Sequence, residues 1–343
     1  MFLVVTILAV WLGWNVHRVN RQRLAVERVL ELGGEVDYAH EYDDVLSRTR
    51  VPNPELPGNA WVRDLLGEHY FLRVIGVNLD STRVQDADLE VLGSLPEVER
   101  LGIGHTSITD EGLVHLKGLR KLRGLIADET QITGDGLRHL RSCKKLEWLR
   151  LDNSILESSG LRHLAHLPAL RTLSLSHTGI DDDATDHVAQ VPKLRNLDLS
   201  YTRVTDAGIE RLQALAPLEA IHIEGSKIIG VGFGRFPSNC NLRSIYANHG
   251  SISDAGLQQI ARLTNIQRLE IGSTAVTDEG LPHLATLPKL SALKIWGTTV
   301  SDSSVPILTG LAKLSELSVF DTRITKNGVL ELKQRLPRCA IKN

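Results

Sequence analysis

Apolar positions in this chain recur in a frame 24 residues long. In the stretch Val98 to Leu119, VERLGIGHTSITDEGLVHLKGL, they fall at Val98, Leu101, Ile103, Ile108, Leu113, Leu116 and Leu119. The frame returns from Val74 to about Arg338, and one residue marks its register: Thr82, Thr106, Thr130, Ser154, Thr178, Thr202, Ser226, Gly250, Thr274, Thr298 and Thr322. A unit this short cannot bury its own apolar side, so the eleven copies must stack on one another as a solenoid.

Inside a frame, Leu-x-x-Leu-x-Leu alternates as a half-buried strand should. In the fourth copy Leu149 and Leu151 face the core, which turns Trp148, Arg150 and Asp152 outward. The Thr or Ser that follows is placed to hydrogen-bond in the turn and to link neighbouring repeats in a ladder. A motif such as ITDEGL, VTDAGI or VTDEGL comes next, where Thr, Ser or Asp caps a short helix held down by residues such as Leu113, Leu116 and Leu119. Two copies depart from the frame. The fifth, IDDDATDHV (Ile180 to Val188), loses its Gly-Leu pair, and the seventh, KIIGVGFGRFPSNCNL (Lys227 to Leu242), replaces the helix with irregular chain that Phe233 and Phe236 plug.

With LRNLDLSYTRVTDAGIERLQAL (Leu194 to Leu215) nearest the pattern, the repeats resemble those of leucine-rich repeat proteins, with Thr where many members carry Asn or Cys. The resemblance implies an α/β leucine-rich repeat solenoid, a curved horseshoe with parallel strands on the concave side and short helices on the convex side. The apolar start of the chain together with LGGEVDYAHEYD (Leu32 to Asp43) also looks like predicted bacterial membrane-anchored members of that family.

The residues before the array follow other rules. Phe2 to Trp14, FLVVTILAVWLGW, contains no charge, and His17, Arg18, Arg21 and Arg23 follow it. As a helix, 13 residues rise only about 20 Å against a hydrocarbon core of about 30 Å. Trp11, Trp14 and a snorkelling flank extend its reach. The basic cluster follows the apolar run, and no small-x-small site does, so the segment reads as an uncleaved single-pass anchor over residues 1–17. The positive-inside tendency then puts the array in the cytoplasm. A helix is expected over 18–34, a loop or tether over 35–60, and an N-terminal cap over 61–73 ahead of the repeat domain at 74–338.

Charge and cysteines narrow the chemistry. A formal net charge of −2 supplies no global basic field for nucleic acid. The three cysteines, Cys143, Cys240 and Cys339, have no ligand or pairing spacing, and Cys143 occupies a buried helical slot. The Thr-Asp pairs recur too often to be one catalytic constellation. No nucleophile elbow, zinc-helix motif or P-loop occurs, and Gly230, Gly232 and Gly234 lack the Lys-Ser/Thr pair that a phosphate loop needs.

On the concave side the frame collects Arg100, Arg150, Arg268 and Lys294 against Asp80, Asp128, Glu129, Asp152, Asp198, Glu224, Glu270, Glu316 and Asp321. This acidic bias disfavours a phosphate backbone and favours a basic or donor-rich protein or peptide. Five of the seven aromatics in the array, Trp148, Tyr201, Tyr246, Trp296 and Phe320, map to the same side, where they either anchor a partner or stack across strands. The expected protein-binding set is Trp148, Arg150, Asp152, Tyr201, Glu224, Tyr246, Arg268, Glu270, Trp296 and Phe320. His105, His177, His222 and His249 share that side without metal-ligand spacing, whereas His115, His139, His163, His187 and His283 repeat on the convex side as part of the frame.

The reading is a non-catalytic, membrane-anchored interaction module with no cofactor, no metal, no nucleic acid and no small-molecule substrate. The repeats are also similar to those of F-box proteins, which would make the chain a substrate receptor of a ubiquitin ligase, although Arg18 to Tyr70 holds no recognisable F-box. An enzyme is the third reading.

Overall fold

The computed structural model describes residues 2–44, 49–52 and 54–343. Two compact units compose it, Met1–Ser154 with His166–Ala169, and Ile155–Ala165 with Leu170–Asn343.

The first unit begins with a 30-residue helix, α1 (Phe2–Glu31). The side chains of most of the apolar run, Phe2 to Val5 and Ile7 to Leu12, lie outside the described residues. Among the described residues no helix is long and apolar enough to cross a membrane. The C-terminal part of α1 packs on the array: Ala25, Val26 and Val29 are buried. Arg28 pairs with Asp88 at 2.8 Å, and Arg21 donates to the Ser94 hydroxyl at 3.2 Å.

Gly33, at φ 83°, turns the chain back. Strand β1 (Glu35–Tyr38) then pairs antiparallel with the first strand of the array. A loop was the expectation here. A parallel array ends in a row of unpaired backbone groups, and β1 satisfies them at short reach from α1. A hairpin of β2 (Tyr42–Asp44) and β3 (Thr49–Arg50) follows, then a short helix, Ala60–Leu66, on which Trp61 is exposed. Four array strands complete the unit: β4 (Val74–Asn78), β5 (Arg100–Gly102), β6 (Gly124–Ile126) and β7 (Trp148–Arg150). They pair parallel in a register of 24, with Val77, Leu101, Leu125 and Leu149 in line and buried.

The second unit repeats the arrangement with eight strands: β8 (Thr172–Ser174), β9 (Asn196–Asp198), β10 (Ala220–His222), β11 (Ser244–Tyr246), β12 (Arg268–Glu270), β13 (Ala292–Lys294), β14 (Glu316–Ser318) and β15 (Ala340–Lys342). All are parallel, in chain order, and in the same register. Phe233 and Phe236 fill the degenerate seventh copy, with ring centroids 5.6 Å apart and both side chains buried. Cys143, in the first unit, is buried too, and burial pushes its thiol up to about 11.

Two kinds of helix return the strands. The copies at Asp182–Val188, Asp206–Arg211, Asp254–Ile260 and Lys326–Arg335 are α-helical, and in each the side chain of Asp181, Thr205, Ser253 or Thr325 accepts an N–H of the first turn. Gly112–Gly118, Asp135–Ser142, Val231–Arg235 and Leu281–Thr286 wind as 3-10 turns, although Thr109 and Thr277 accept the Glu111 and Glu279 N–H groups at 3.2 Å. A side-chain acceptor relieves the orphan donors of a helical first turn.

The ladder between repeats runs through aspartate, not through the register threonine. Thr82, Thr106, Thr178, Thr202, Ser226, Thr274, Thr298 and Thr322 each donate to the carbonyl three residues earlier, at 2.6–2.7 Å. Thr130 and Ser154 do meet across repeats, hydroxyl to hydroxyl at 3.2 Å and Thr130 N–H to the Ser154 hydroxyl at 3.4 Å. The regular rungs are carboxylates. Asp86 accepts the Thr109 N–H and hydroxyl at 2.9 and 2.7 Å, and Asp182, Asp254 and Asp302 hold Thr205, Thr277 and Thr325 in the same way.

This rung explains the glycine of the TDxG motif. A Cβ on Gly112, Gly208, Gly280 or Gly328 would overlap the carboxylate of Asp86, Asp182, Asp254 or Asp302. Where the preceding copy has Ser158 instead of Asp, the motif carries Ala184. After Asp278 it carries Ser304, whose hydroxyl donates to that carboxylate at 2.5 Å.

Candidate functional site

Every copy places the residue before its register threonine in the left-handed region: Ser81, His105, Glu129, Asn153, His177, Tyr201, Gly225, His249, Ser273, Gly297 and Asp321, with φ between 51° and 65°. That region suits Gly, Asn, Asp and His and is costly for a bulky ring. Tyr201 holds it because its N–H donates to the Glu224 carbonyl at 2.7 Å. These turns, with the outward positions of the short strands, compose the sheet face of each unit.

In the first unit the face is organised by charge. Arg100 of β5 is buried and ion-paired with Asp37 of β1, whose other oxygen accepts the Tyr42 hydroxyl at 2.7 Å. Arg150 reaches Asp128 at 2.7 Å and Asp152 at 3.3 Å. Burial pushes the Asp128 carboxyl up; Arg150 opposes this, and the neighbouring Asp152 and Asp80 add to it. Asp80 lies against Gly102 and accepts the Gly104 N–H at 2.6 Å. Val77, Asn78, Asp80, Arg100, Ile126 and Trp148 bound a cleft of about 180 Å³ there, with the half-buried Trp148 ring as one wall.

In the second unit rings replace charges over much of the face. His177 stacks on Tyr201 with centroids 4.2 Å apart, and His222 on Tyr246 at 4.1 Å. Trp296 stacks on Phe320 at 5.1 Å and meets His249 edge-on at 5.0 Å. The rings lie on glycines: a Cβ on Gly225 would enter the Tyr201 ring, and one on Gly272 the Trp296 ring. Tyr201 and Phe320 remain 42% and 38% exposed, so stacking leaves a free edge for contact.

Between the rings sits a compensated ion cluster. Arg268 pairs with Glu270 and Glu316 at 3.1 and 3.0 Å, and Lys294 with Glu270 at 2.9 Å. Asn248 bridges Glu224 and Glu270 at 2.9 and 3.3 Å while accepting the Gly272 N–H. Burial works to raise the Glu270 carboxyl, but the bonds from Lys294, Asn248 and Arg268 prevail and hold it below its ordinary value. Glu270 is only 7% exposed, so its carboxylate is committed to this network.

The binding set expected from sequence therefore lies on the sheet faces in different conditions. Trp148, Arg150 and Asp152 come together in the first unit; Tyr201, Glu224, Tyr246, Arg268, Glu270, Trp296 and Phe320 lie in the second. Sequence reasoning missed Asp37 and Asn248, which neutralise and order these faces, and it missed the histidine stacks. The 24-residue spacing of His177 with Tyr201, and of His222 with Tyr246, was the signal for those stacks. Among the described residues all four face cations are ion-paired, whereas Asp80, Asp198, Glu224 and Asp321 meet no Lys or Arg within ion-pair distance.

Comparisons with known proteins agree with this architecture. The profile described as "Leucine Rich repeat" matches residues 192–212. Among curated proteins no sequence relative matches the chain. Among solved structures, an internalin (inlF) from Listeria monocytogenes str. 4b F2365 aligns with a TM-score of 0.53 at 18% identity, over 82% of this chain and 93% of that one. A TDR receptor aligns with a TM-score of 0.54 at 16% identity, over 78% of this chain and 46% of that one. At such identities the likeness speaks for the fold alone: the chain carries a leucine-rich repeat at residues 192–212 and has the fold of leucine-rich repeat proteins.

Proposed function

We propose that this chain is a non-catalytic recognition protein that binds a basic protein or peptide on its sheet face, and that the start of α1 anchors it to a membrane with the repeats on the cytoplasmic side. One observation carries the binding reading: the face cations are consumed internally, while among the described residues Asp80, Asp198, Glu224 and Asp321 meet no Lys or Arg, on faces that also carry half-exposed rings. Aromatic edges supply contact area at small entropic cost, and unmatched carboxylates select cations from the partner. The repeated Thr and Asp residues are occupied by caps and rungs, which removes them as chemical groups. The anchor reading rests on the uncharged run Phe2 to Trp14 and the arginines after it.

Selection of random displayed peptides against the full chain tests the binding reading. Enriched sequences should be rich in Lys and Arg and should bind the Trp296→Ala/Phe320→Ala variant at least about tenfold more weakly, in line with the loss of interface anchors. Enrichment of neutral or acidic peptides, or equal binding by the variant, would remove the sheet face from the account.

A further inference from the structure

The helix side of the first unit holds a second charged feature of opposite sign. Between the turns Gly112–Gly118 and Asp135–Ser142 lies a cleft of about 390 Å³, lined by Lys117, Arg138, His139, Arg141 and Ser142. Ser142 donates to the Lys117 carbonyl at 2.8 Å and Arg138 to the Asp135 carbonyl at 3.0 Å, so backbone oxygens are the polar partners inside the cleft. Among the described residues none of Lys117, Arg138 and Arg141 pairs with a carboxylate, in contrast to the cations of the sheet face. Burial lowers the His139 pKa from its ordinary 6.5, and the charges of Arg138, Lys117 and Arg141 lower it further, against Asp110. The cleft therefore carries positive charge that the described residues leave unanswered.

Its position relative to α1 indicates what answers it. Arg28 sits at Asp88 and Arg21 at Ser94, so α1 runs antiparallel to the turn Asp86–Ser94. Ser94, Gly118 and Ser142 are the same position in successive copies, one row at the C-terminal ends of stacked turns. From Arg21 toward its N-terminus α1 passes beyond this row, and His17 is only about 6 Å further along at 1.5 Å per residue. The uncharged run begins just past it. With that run in a bilayer, the cleft lies within about one Debye length of the headgroups, roughly 10 Å, where basic side chains are attracted to anionic lipid.

We infer that the cleft of Lys117, Arg138, His139 and Arg141 docks on the anionic phosphate headgroups of a lipid bilayer, fixing the array against the surface that α1 enters. The inference builds on the anchor reading, and its test separates the two. A thiol-reactive dye is placed on Gly118→Cys, where an added side chain meets nothing within 4 Å, in a Cys240→Ser/Cys339→Ser background that leaves only the buried Cys143. The full chain is mixed with neutral phosphatidylcholine vesicles or with vesicles containing phosphatidylglycerol, each carrying a headgroup quencher. Flotation on neutral vesicles reports the anchor; extra quenching on anionic ones reports the cleft.

The expected result is strong quenching on anionic vesicles, lost at about 1 M salt and weakened at least about tenfold in Lys117→Ala/Arg138→Ala/Arg141→Ala. It should be kept in Arg138→Lys/Arg141→Lys, which preserves the charge. Equal quenching on neutral and anionic vesicles, or indifference to the triple substitution, would overturn the inference. So would retention on heparin without binding to anionic vesicles, which would assign the cleft to a soluble polyanion. Failure to float on neutral vesicles alongside salt-sensitive, substitution-sensitive binding to anionic ones would refute the anchor and uphold the cleft.

Discussion

The strand face of the first unit is built around Arg100 and Arg150, each locked to carboxylates, while that of the second carries Tyr201, Tyr246, Trp296 and Phe320, each stacked on a neighbouring ring. The helix sides differ as well. Array turns in the first unit are 3-10, and the four side-chain-capped α-helices all lie in the second. One frame thus tolerates two ways of filling its open face, because the buried leucines and the aspartate rungs hold the strands in register regardless. The open positions are free of that duty.

The largest effect is expected from the buried charges of the first unit. Asp37→Ala strands the buried Arg100 guanidinium and should cost about 3–5 kcal/mol, read by denaturant unfolding, whereas an exposed-pair cost below about 1 kcal/mol would show that Arg100 is solvated. Phe233→Ala in the second unit should cost a comparable, slightly smaller figure of about 3–4 kcal/mol by opening a cavity in the degenerate seventh copy. Because repeats feel mainly their neighbours, hydrogen exchange should rise in β10 and β11 and stay unchanged in β4 to β6. Uniform loss of protection would instead make the two units one cooperative block.

Weaker effects sharpen the picture. Asp206→Ala removes the acceptor of the Ile229, Gly230 and Gly232 N–H groups, bonded at 2.8–3.0 Å, and should cost about 1–3 kcal/mol. Ser158, at the same position of another copy, makes a weaker, exposed rung, donating to the Asp181 carboxylate at 2.7 Å and accepting its N–H at 3.3 Å, and Ser158→Ala should cost about 1 kcal/mol or less in the same unfolding assay.

Acid should separate the faces by sign. The folded pKa of Glu270 lies below its ordinary 4.5, so its contribution is full above that value and is lost as pH falls through the folded pKa. Asp128 is shifted above its ordinary 3.8, so its contribution is largest below that value and declines as pH rises through the folded pKa. Exchange measured between about pH 3 and 6 should therefore show β12 loosening on acidification while β6 does not. Parallel behaviour of the two strands would contradict these assignments.

Much of the fold was legible because a solenoid writes its geometry into a period. Val98, Leu101, Ile103 and their copies named the core, and the 24-residue step named the strand register. Strand β1 was not legible, since EVDY between Gly34 and Ala39 is too short and too polar to announce a partner, and only the open edge of β4 explains it. The rungs were half legible: TDxG reads as a cap, but the demand for glycine comes from a carboxylate 26 residues earlier. The faces were legible as a list of residues and not as a site. Glu270 looked free until Arg268, Lys294 and Asn248 were seen to close on it, and Tyr201 reaches the face through a left-handed turn that its own residue type disfavours.

The claim that the sheet face is the recognition surface is tested most directly by photocrosslinking in cells. A photoreactive residue is placed in turn at Tyr201 and Phe320 on the sheet face, and at His187 and Gln258 on the helix side. Crosslinks to a discrete basic protein or peptide are expected from the first pair and none from the second. Crosslinks from His187 or Gln258 alone would contradict it.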